Sequence, residues 1–525
     1  MKENYILILG AGLMQKPAIQ SGKELGYKIA LVDGNPNALC VPMADIFSPI
    51  DLKDKEAILA FAQKLNQDHN LKAVFTAGTD FSSVVSYVAG NLGFAAHTYE
   101  AACNASNKIQ MRQCFEKAQV PSPKFIEIDH KFLENPVLQN LDFPLVVKPV
   151  DNMGARGCRM IRSQDELLEN AKIAIEYSRT KKAILEEYME GMEFSIDALV
   201  FDGTLTITGF ADRHIYYPPY FIEMGHTMPS VYSPTSSEWL SLAKTFYEGV
   251  KALGLTHGVA KADIKLTPKG PMIGEIAARL SGGYMSGWTY PYSSKINLTK
   301  QALLLALNET PKDVLENREK TSIENIYNLP SKEVSAERAW ISIPGTIAEV
   351  LDFSEATENQ NIKDVFPRTK AKDKVSFPLN NVEKCGNVIS NHKDYKIATE
   401  SAERKISKLI LKLEKNNSET LSFLQESLDT DFPPSAFSLP KEVYKKIDEL
   451  PLILENLEIP EFLKPYLETV KDYNHRTIKE SLDFFEKITK TNINTKLDFS
   501  DFKINFWHSL IRGGLQGILY LYENK

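Results

Sequence analysis

Short apolar runs of strand type alternate with helical patterns over residues 5–97, and this alternation limits the fold more than any other feature of the chain. Tyr5-Ile6-Leu7-Ile8-Leu9 has the unbroken apolar character of a strand buried on both faces. Gly10-Ala11-Gly12 then turns the chain into a helix. Lys28-Ile29-Ala30-Leu31-Val32 reads as the next strand and ends at Asp33-Gly34. A helix over about 54–66 and a strand over 72–76 follow. Strands joined through helices in this way imply a doubly wound sheet. The glycine turn, with Asp33 about twenty residues on, suggests a dinucleotide fingerprint. However, Gln15 stands where that motif needs a third glycine for close helix–strand packing. A tight turn in a sheet that holds no dinucleotide is the simpler reading.

A chain of 525 residues is too long for one core and predicts about three or four domains. Pro121 and Pro123 mark the first boundary. Residues 121–190 mix short strands with one helix near 164–178. Residues 191–310 form a second α+β lobe, with strands near 193–201, 204–210, 258–266 and 271–276 and helices near 236–253 and 296–308. The span 311–333 is polar and reads as a linker. A strand-rich lobe over 334–416 follows, with Gly345 and Gly386 as turns. It closes on a helix over about 399–415, where Ala402, Ile406, Leu409, Ile410 and Leu413 fall at helical spacing. Beyond Asn416, helical patterns alternate with prolines, so 417–525 reads as a separate helical extension. Its Phe484, Phe485, Phe506, Trp507, Leu510 and Leu515 suit a helical core better than a dimer surface.

With 61 basic and 68 acidic residues the net charge is −7, which provides no broad basic surface and argues against nucleic acid as a partner. No stretch approaches the roughly 18–20 apolar residues of a membrane span. Five scattered cysteines without CxxC spacing suit reduced thiols. The N-terminal apolar run is too short for a signal peptide, and the expectation is a cytoplasmic protein.

The chemistry concentrates at Leu145–Gly157, LVVKPVDNMGARG. An apolar strand delivers Lys148 to its end. The loop that follows, with Gly154, Arg156 and Gly157, is small enough to lay backbone N–H groups over phosphates. Glycines that follow the lysine exclude a Walker A loop. Forty residues upstream lie Lys108 and Arg112, at i, i+4, which alone read as one solvated helical face. In Glu186–Glu193 a strand leaves one lobe and turns at Gly191 into the next, forming a hinge whose backbone can meet a flat purine. Asp263 and Glu275 lie on strands joined by the turn Thr267-Pro268-Lys269-Gly270, which places both carboxylates on one sheet face. Like charges held that close call for a cation, and hard carboxylate oxygens suit Mg²⁺ (or Mn²⁺) bridging phosphates. The set predicts a nucleoside triphosphate site with bound metal.

At these residues the pattern resembles the ATP-grasp superfamily, in its carbamoyl-phosphate-synthase-like and L-amino-acid-ligase branch. The resemblance runs from residue 1 to about 400. It rests on the loop Asp151–Gly157 and the strand Glu275-Ile276-Ala277-Ala278-Arg279. It implies a Rossmann-like preATP-grasp domain over 1–97 and a two-lobed ATP-grasp domain over 98–320, with the strand-rich lobe over 334–416 and the helical extension over 417–525. Carried over by position, Lys108 and Lys148 would bind the α- and β-phosphates of ATP, and Gly154–Gly157 would cap the triphosphate. Glu186 would receive the adenine amino group, the Met189 backbone would contact the ring, and Glu193 would hold the ribose. Asp263 and Glu275 would hold Mg²⁺, and of the two catalytic residues, Arg279 and Lys148, Arg279 would face the transferred phosphoryl group or the substrate carboxylate. On the substrate side, the resemblance points to Arg213, His214, Tyr220 and His226 in the aromatic, proline-rich stretch and to Ser281, Gly282 and Gly283 after Arg279. Many superfamily members carry Asn where this chain has Ala277, which puts the metal ligand set in question.

The implied activity joins a carboxylate to an amine (or a thiol) through an acyl-phosphate, with release of ADP. The partners are small molecules, with a homodimer possible. Two alternatives stay open at this point. One is phosphorylation of bicarbonate, as in carbamoyl-phosphate synthesis; the other is a nucleotide-binding scaffold without catalysis.

Overall fold

The computed structural model describes residues 2–491 and 495–525. The chain forms two compact units. The first comprises Met1–His214 with His226–Ala336, and the second Ile215–Gly225 with Glu337–Lys525.

The first unit begins with a four-stranded parallel sheet in the order Ile46–Ser48, Lys28–Val32, Asn4–Leu9, Asn70–Phe75. The helix Lys55–Asp68 lies between its last two strands in sequence, and Asp54 caps it by accepting from the Ala57 N–H. The glycine turn is held from within. Asp33 Oδ2 accepts from the Ala11 N–H at 2.8 Å. Buried Gln15 accepts from the Ala77 N–H at 2.9 Å and donates to Thr79 Oγ1 at 3.2 Å. Its side chain fills the place the missing glycine would leave open, and the carboxylate of Asp33 is spent on the turn itself. Both favour the tight-turn reading.

A second sheet of four strands runs in the order Phe125–Ile128, Ala183–Glu187, Leu145–Pro149, Arg159–Ile161, and every pairing is antiparallel. The helix Gln164–Tyr177 closes one face, with Leu167, Ala171 and Ile175 packed on Leu145, Val147 and Leu185. A larger antiparallel sheet carries Gly270–Ala277, Gly258–Thr267, Met192–Phe201 and Thr204–Tyr216 in that order. The helix Ser237–Leu253 packs on it through Trp239, Phe246 and Val250 against Phe194, Ile196, Ile264 and Ile276. The span 311–333, expected as a linker, is more ordered than its polarity suggests. It holds the helix Lys312–Asn317, and its strand Ile326–Asn328 adds to the sheet, parallel to Leu205–Ile207. Ile326 is fully buried, which ties the span down.

The strand Val334–Trp340 enters the second unit at Glu337, where Gly386–His392 and Ile362–Pro367 follow it in the sheet, and Lys374–Val375, Gly345–Asp352 and Leu409–Leu413 form a second small sheet. Gly345 and Gly386, expected as turns, each begin a strand. At Gly386 a Cβ would lie 2.1 Å from the Trp340 ring, so the glycine serves packing. The helix expected over 399–415 is instead Tyr395–Ser407 followed by the strand Leu409–Leu413, which pairs with Ile347–Asp352.

Residues 417–525, expected to stand apart, fold into this same unit. Gln516 donates to Ser342 Oγ at 2.8 Å and to the Leu411 carbonyl at 3.0 Å. Asn474 exchanges two hydrogen bonds with Ile341, each 3.0 Å. Buried Arg476 donates to the Ser407 carbonyl at 2.9 Å. Phe484, Phe485, Phe506, Trp507, Leu510 and Leu515 are all buried, as the core reading expects. Among the described residues, no helix is long and apolar enough to cross a membrane.

Candidate active site

Lys108, Arg112, Lys148, Glu186, Glu193, Arg213, Asp263, Glu275 and Arg279 each meet a partner of opposite sign. Asn107 caps the helix Lys108–Ala118 by accepting from the Ile109 and Gln110 N–H groups. Lys108 therefore starts the helix and turns inward. Its Nζ donates to the Asn152 carbonyl at 3.2 Å and lies 3.4 Å from Glu275 Oε1. Arg112, one turn on, is wholly buried, so the solvated face expected of this pair is a buried one. Arg112 Nε meets Glu186 Oε1 at 2.8 Å, and its NH2 group donates to the Gly274 carbonyl at 2.6 Å.

Lys148 leaves its strand to meet the other oxygen, Glu186 Oε2, at 2.6 Å. Burial opposes the charge on Glu186, but Arg112 and Lys148 outweigh it and hold the carboxyl below its ordinary range. Glu186, expected at an adenine amino group, thus has both oxygens already accepting from cations. It fixes Lys148 from behind.

The loop after Lys148 is shaped by left-handed residues, with φ +69° at Gly154, +59° at Ala155 and +71° at Gly157. A Cβ on Gly157 would lie 2.9 Å from that of Tyr177, so only glycine fits. Arg156 folds back on its own loop, with Nε donating to the Met153 carbonyl at 3.1 Å. At the hinge, Gly191 has φ +135°, and a Cβ there would sit 2.0 Å from the Leu266 carbonyl oxygen. Glu193 is held by Arg213 at 2.6 Å and by Lys265 at 3.4 Å. Lys265 also donates to the Met189 carbonyl at 3.1 Å.

Asp263 and Glu275 face each other across the antiparallel pair of strands, where a β-bulge between Asp263 and Ile264 shifts the register set by the turn, which would otherwise have put Gly274 opposite Asp263. Asp263 meets Arg213 at 3.0 Å and also Lys261, and Ser195 Oγ donates to it at 3.4 Å. Burial disfavours ionisation of Glu275, yet Lys108, Lys261 and Lys148 overcome it and bring its pKa down to about 2. Glu275 is thus a hard donor held ionised, and Asp263 beside it is a hard donor held by cations. Among the described residues no cluster of three or more His, Cys, Asp or Glu could cage a metal. Two carboxylates suit Mg²⁺, which takes its other ligands from phosphates and water.

Arg279 pairs with Asp80 and donates through NH1 to the Leu280 carbonyl at 2.9 Å. Ser281 binds buried Asp197, and Gly282 lies against Gly78, where a Cβ on Gly282 would be 3.3 Å from the Gly78 carbonyl oxygen. Asp80, Lys108, Asn152, Arg179 and Glu275 line a cleft of about 430 Å³.

Of the substrate-side residues, Arg213 joins the site, while His214 contacts Thr227 Oγ1 at 3.0 Å and His226 is buried in the strand Ile222–Met228. Tyr220 belongs to the second unit, where it packs on Phe432 with ring centroids 4.2 Å apart.

Arg112, Asp80 and Asp197 were not among the expected site residues. Asp80 ends a loop at the carboxyl end of a parallel strand, the usual ligand edge of such sheets. Asp197 is a lone acid inside an apolar strand pattern, which is costly without a purpose.

Residues 141–287 match the ATP-grasp domain, and residues 339–414 match the L-amino acid ligase C-terminal domain 2. Carnosine synthase 1 of Gallus gallus is 24% identical over 331 residues, which are 58% of this chain and 35% of that protein. The formate-dependent phosphoribosylglycinamide formyltransferase of Methanocaldococcus jannaschii is 26% identical over 187 residues, 35% of this chain and 47% of that one. The chain spans between a third and a half of the length of these curated relatives. Among solved structures, the L-amino acid ligase from Bacillus licheniformis superposes with a TM-score of 0.66 at 19% identity, covering 79% of this chain and all of that one. Phosphoribosylglycinamide synthetase from Anaerococcus prevotii gives 0.59 at 21% identity over 78% of this chain and all of that one. These likenesses concern the fold.

Proposed function

We propose that this chain, which belongs to the ATP-grasp superfamily and carries a C-terminal domain of the L-amino acid ligase type, is an ADP-forming ligase that joins a small carboxylic acid to an amine. A substrate carboxylate oxygen attacks the γ-phosphorus of ATP. The bond to the β,γ-bridging oxygen breaks, leaving ADP and an acyl-phosphate. The amine nitrogen then adds to the acyl carbon, phosphate departs, and the amine loses a proton.

The chain's part in this is charge neutralisation and alignment. Lys108 and Lys148 would lie along the α- and β-phosphates, and Lys148 is kept in place by Glu186. The glycine loop Gly154–Gly157 would close over them. Glu193 would hold the ribose hydroxyls, and the Met189 backbone would meet the purine. Asp263 and Glu275 would hold Mg²⁺, which when bound neutralises phosphate charge. Arg279, steadied by Asp80, would face the transferred phosphoryl group and the acid.

The single observation that carries this reading is the convergence on Glu275. Lys108 lies within 3.4 Å of it, Lys261 and Lys148 act on its charge, and Asp263 faces it across the strand pair. A phosphate-release screen of acids and amines in pairs, with ATP and Mg²⁺, tests the activity. Lys148→Ala or Glu275→Ala should abolish substrate-dependent ADP release, and undiminished turnover in either variant removes the site. ADP release driven by bicarbonate alone would favour carbamoyl-phosphate chemistry. Binding without turnover across the panel would leave a scaffold.

A further inference from the structure

Asp197 is 1% exposed and forms no ion pair among the described residues. Its carboxylate is answered by one residue, Ser281, whose N–H donates to Oδ2 at 3.0 Å and whose hydroxyl donates to Oδ1. Burial pushes its carboxyl up to about 6, against the pull of the Ser281 hydrogen bonds, Lys261 and Arg279. A buried carboxylate without a salt bridge is an expensive way to fill a strand position.

What the carboxylate holds explains its place. Ser281 is two residues beyond Arg279, and its carbonyl accepts from Ser286 Oγ at 2.6 Å. The chain then bends through Gly283 at φ +62° and Tyr284 at φ +67° into the π-helix Met285–Thr289. On its other side Gly282 abuts Gly78. The segment is therefore pinned by Asp197 and backed by Gly78. Among the described residues, the N–H groups of Gly282 and Gly283 donate to nothing. Two amide donors from half-buried glycines on a fixed loop next to an arginine make a place where negative charge can gather.

We infer that Asp197 is a positioning residue for the ligation step. By gripping the amide and hydroxyl of Ser281 it fixes the Arg279–Gly283 loop, so that the Arg279 guanidinium and the Gly282 and Gly283 amides meet the acyl-phosphate already aligned. This rests on the ligase reading above.

The test uses the full chain with the parent's best acid and amine pair. Initial rates of ADP release give kcat and KM for ATP, and ADP affinity is measured separately by titration calorimetry. Asp197→Ala should lower kcat about 100-fold while KM for ATP and ADP affinity stay within about threefold. Asp197→Asn, whose amide oxygen still accepts from the Ser281 N–H, should recover most of that loss. An Asp197→Ala kcat within threefold of the parent overturns the inference, as does a joint fall of kcat and ADP affinity, which marks a merely structural role. If Asp197→Ala does not fold, Ser281→Ala decides. It removes only the hydroxyl bond and should cost about tenfold in kcat at constant ADP affinity; an unchanged kcat overturns the role. A parent that releases no ADP with any acid overturns the ligase reading and the inference together, whereas an active parent with an indifferent Asp197→Ala overturns the inference alone.

Discussion

Replacing Glu186 with glutamine separates the structural job of this residue from its shape. The side chain is 3% exposed and accepts from Arg112 Nε at 2.8 Å and Lys148 Nζ at 2.6 Å. Glutamine keeps the volume and one acceptor but leaves two cations facing a neutral amide. Removing one side of a buried ion pair costs about 3–5 kcal/mol, and the retained acceptor puts this case near about 3 kcal/mol. That corresponds to a rise of about 100-fold in local opening. Hydrogen exchange read by mass spectrometry on peptides covering Leu145–Pro149 and Ala183–Glu187 measures it directly, because these strands pair with each other. The pH dependence has a definite sign. The Glu186 carboxyl is lowered in the fold, so its stabilisation is present above the ordinary glutamate range and is lost as pH falls through its folded value. The gap between parent and Glu186→Gln should therefore narrow on acidification. Exchange in the variant within threefold of the parent at neutral pH would refute the claim that Glu186 is the anchor of both cations.

Gly191→Ala would force a Cβ to 2.0 Å from a backbone oxygen at φ +135°, which should cost about 3 kcal/mol or more and lower Tm by about 6 °C or more by calorimetry. A change under 2 °C, roughly the shift of one kcal/mol in a domain this large, would mean the hinge can relax. Ending the chain at residue 416 should leave Ile341, Ser342 and Leu411 without their Asn474 and Gln516 partners and expose the core beneath the terminal helix. The expected product is insoluble or readily digested over residues 337–416, and a soluble, protease-resistant truncation would show the tail to be dispensable.

What the sequence disclosed depended on how local the determinants were. Three strands of the parallel sheet were legible because each is a buried run set off by its own turn, whereas the short, half-buried edge strand Ile46–Ser48 carries no such signal. The pairing of the Asp263 and Glu275 strands was legible from the tight turn between them, but the β-bulge between Asp263 and Ile264 that brings the two carboxylates face to face was not. Asp80 and Arg279 are 199 positions apart, and Asp197 and Ser281 are 84 apart, so no periodicity connects them. Leu409, Ile410 and Leu413 fit a helical stripe with Ile406. They also belong to the segment Leu409-Ile410-Leu411-Lys412-Leu413, and pairing with Ile347–Asp352 decided for the strand. Arg112 misled because a charged pair at i, i+4 is usually solvated. Its partners in burial, Glu186 and the Gly274 carbonyl, lie 74 and 162 positions away.

The ammonium group of Lys265 bonds the Met189 carbonyl and the Glu193 carboxylate at once. If those two groups read the purine and the sugar, as assigned, base choice and sugar choice share one lever. A change at Lys265 would slacken both together, and a shift toward another nucleoside would have to begin at a position that leaves this lysine alone.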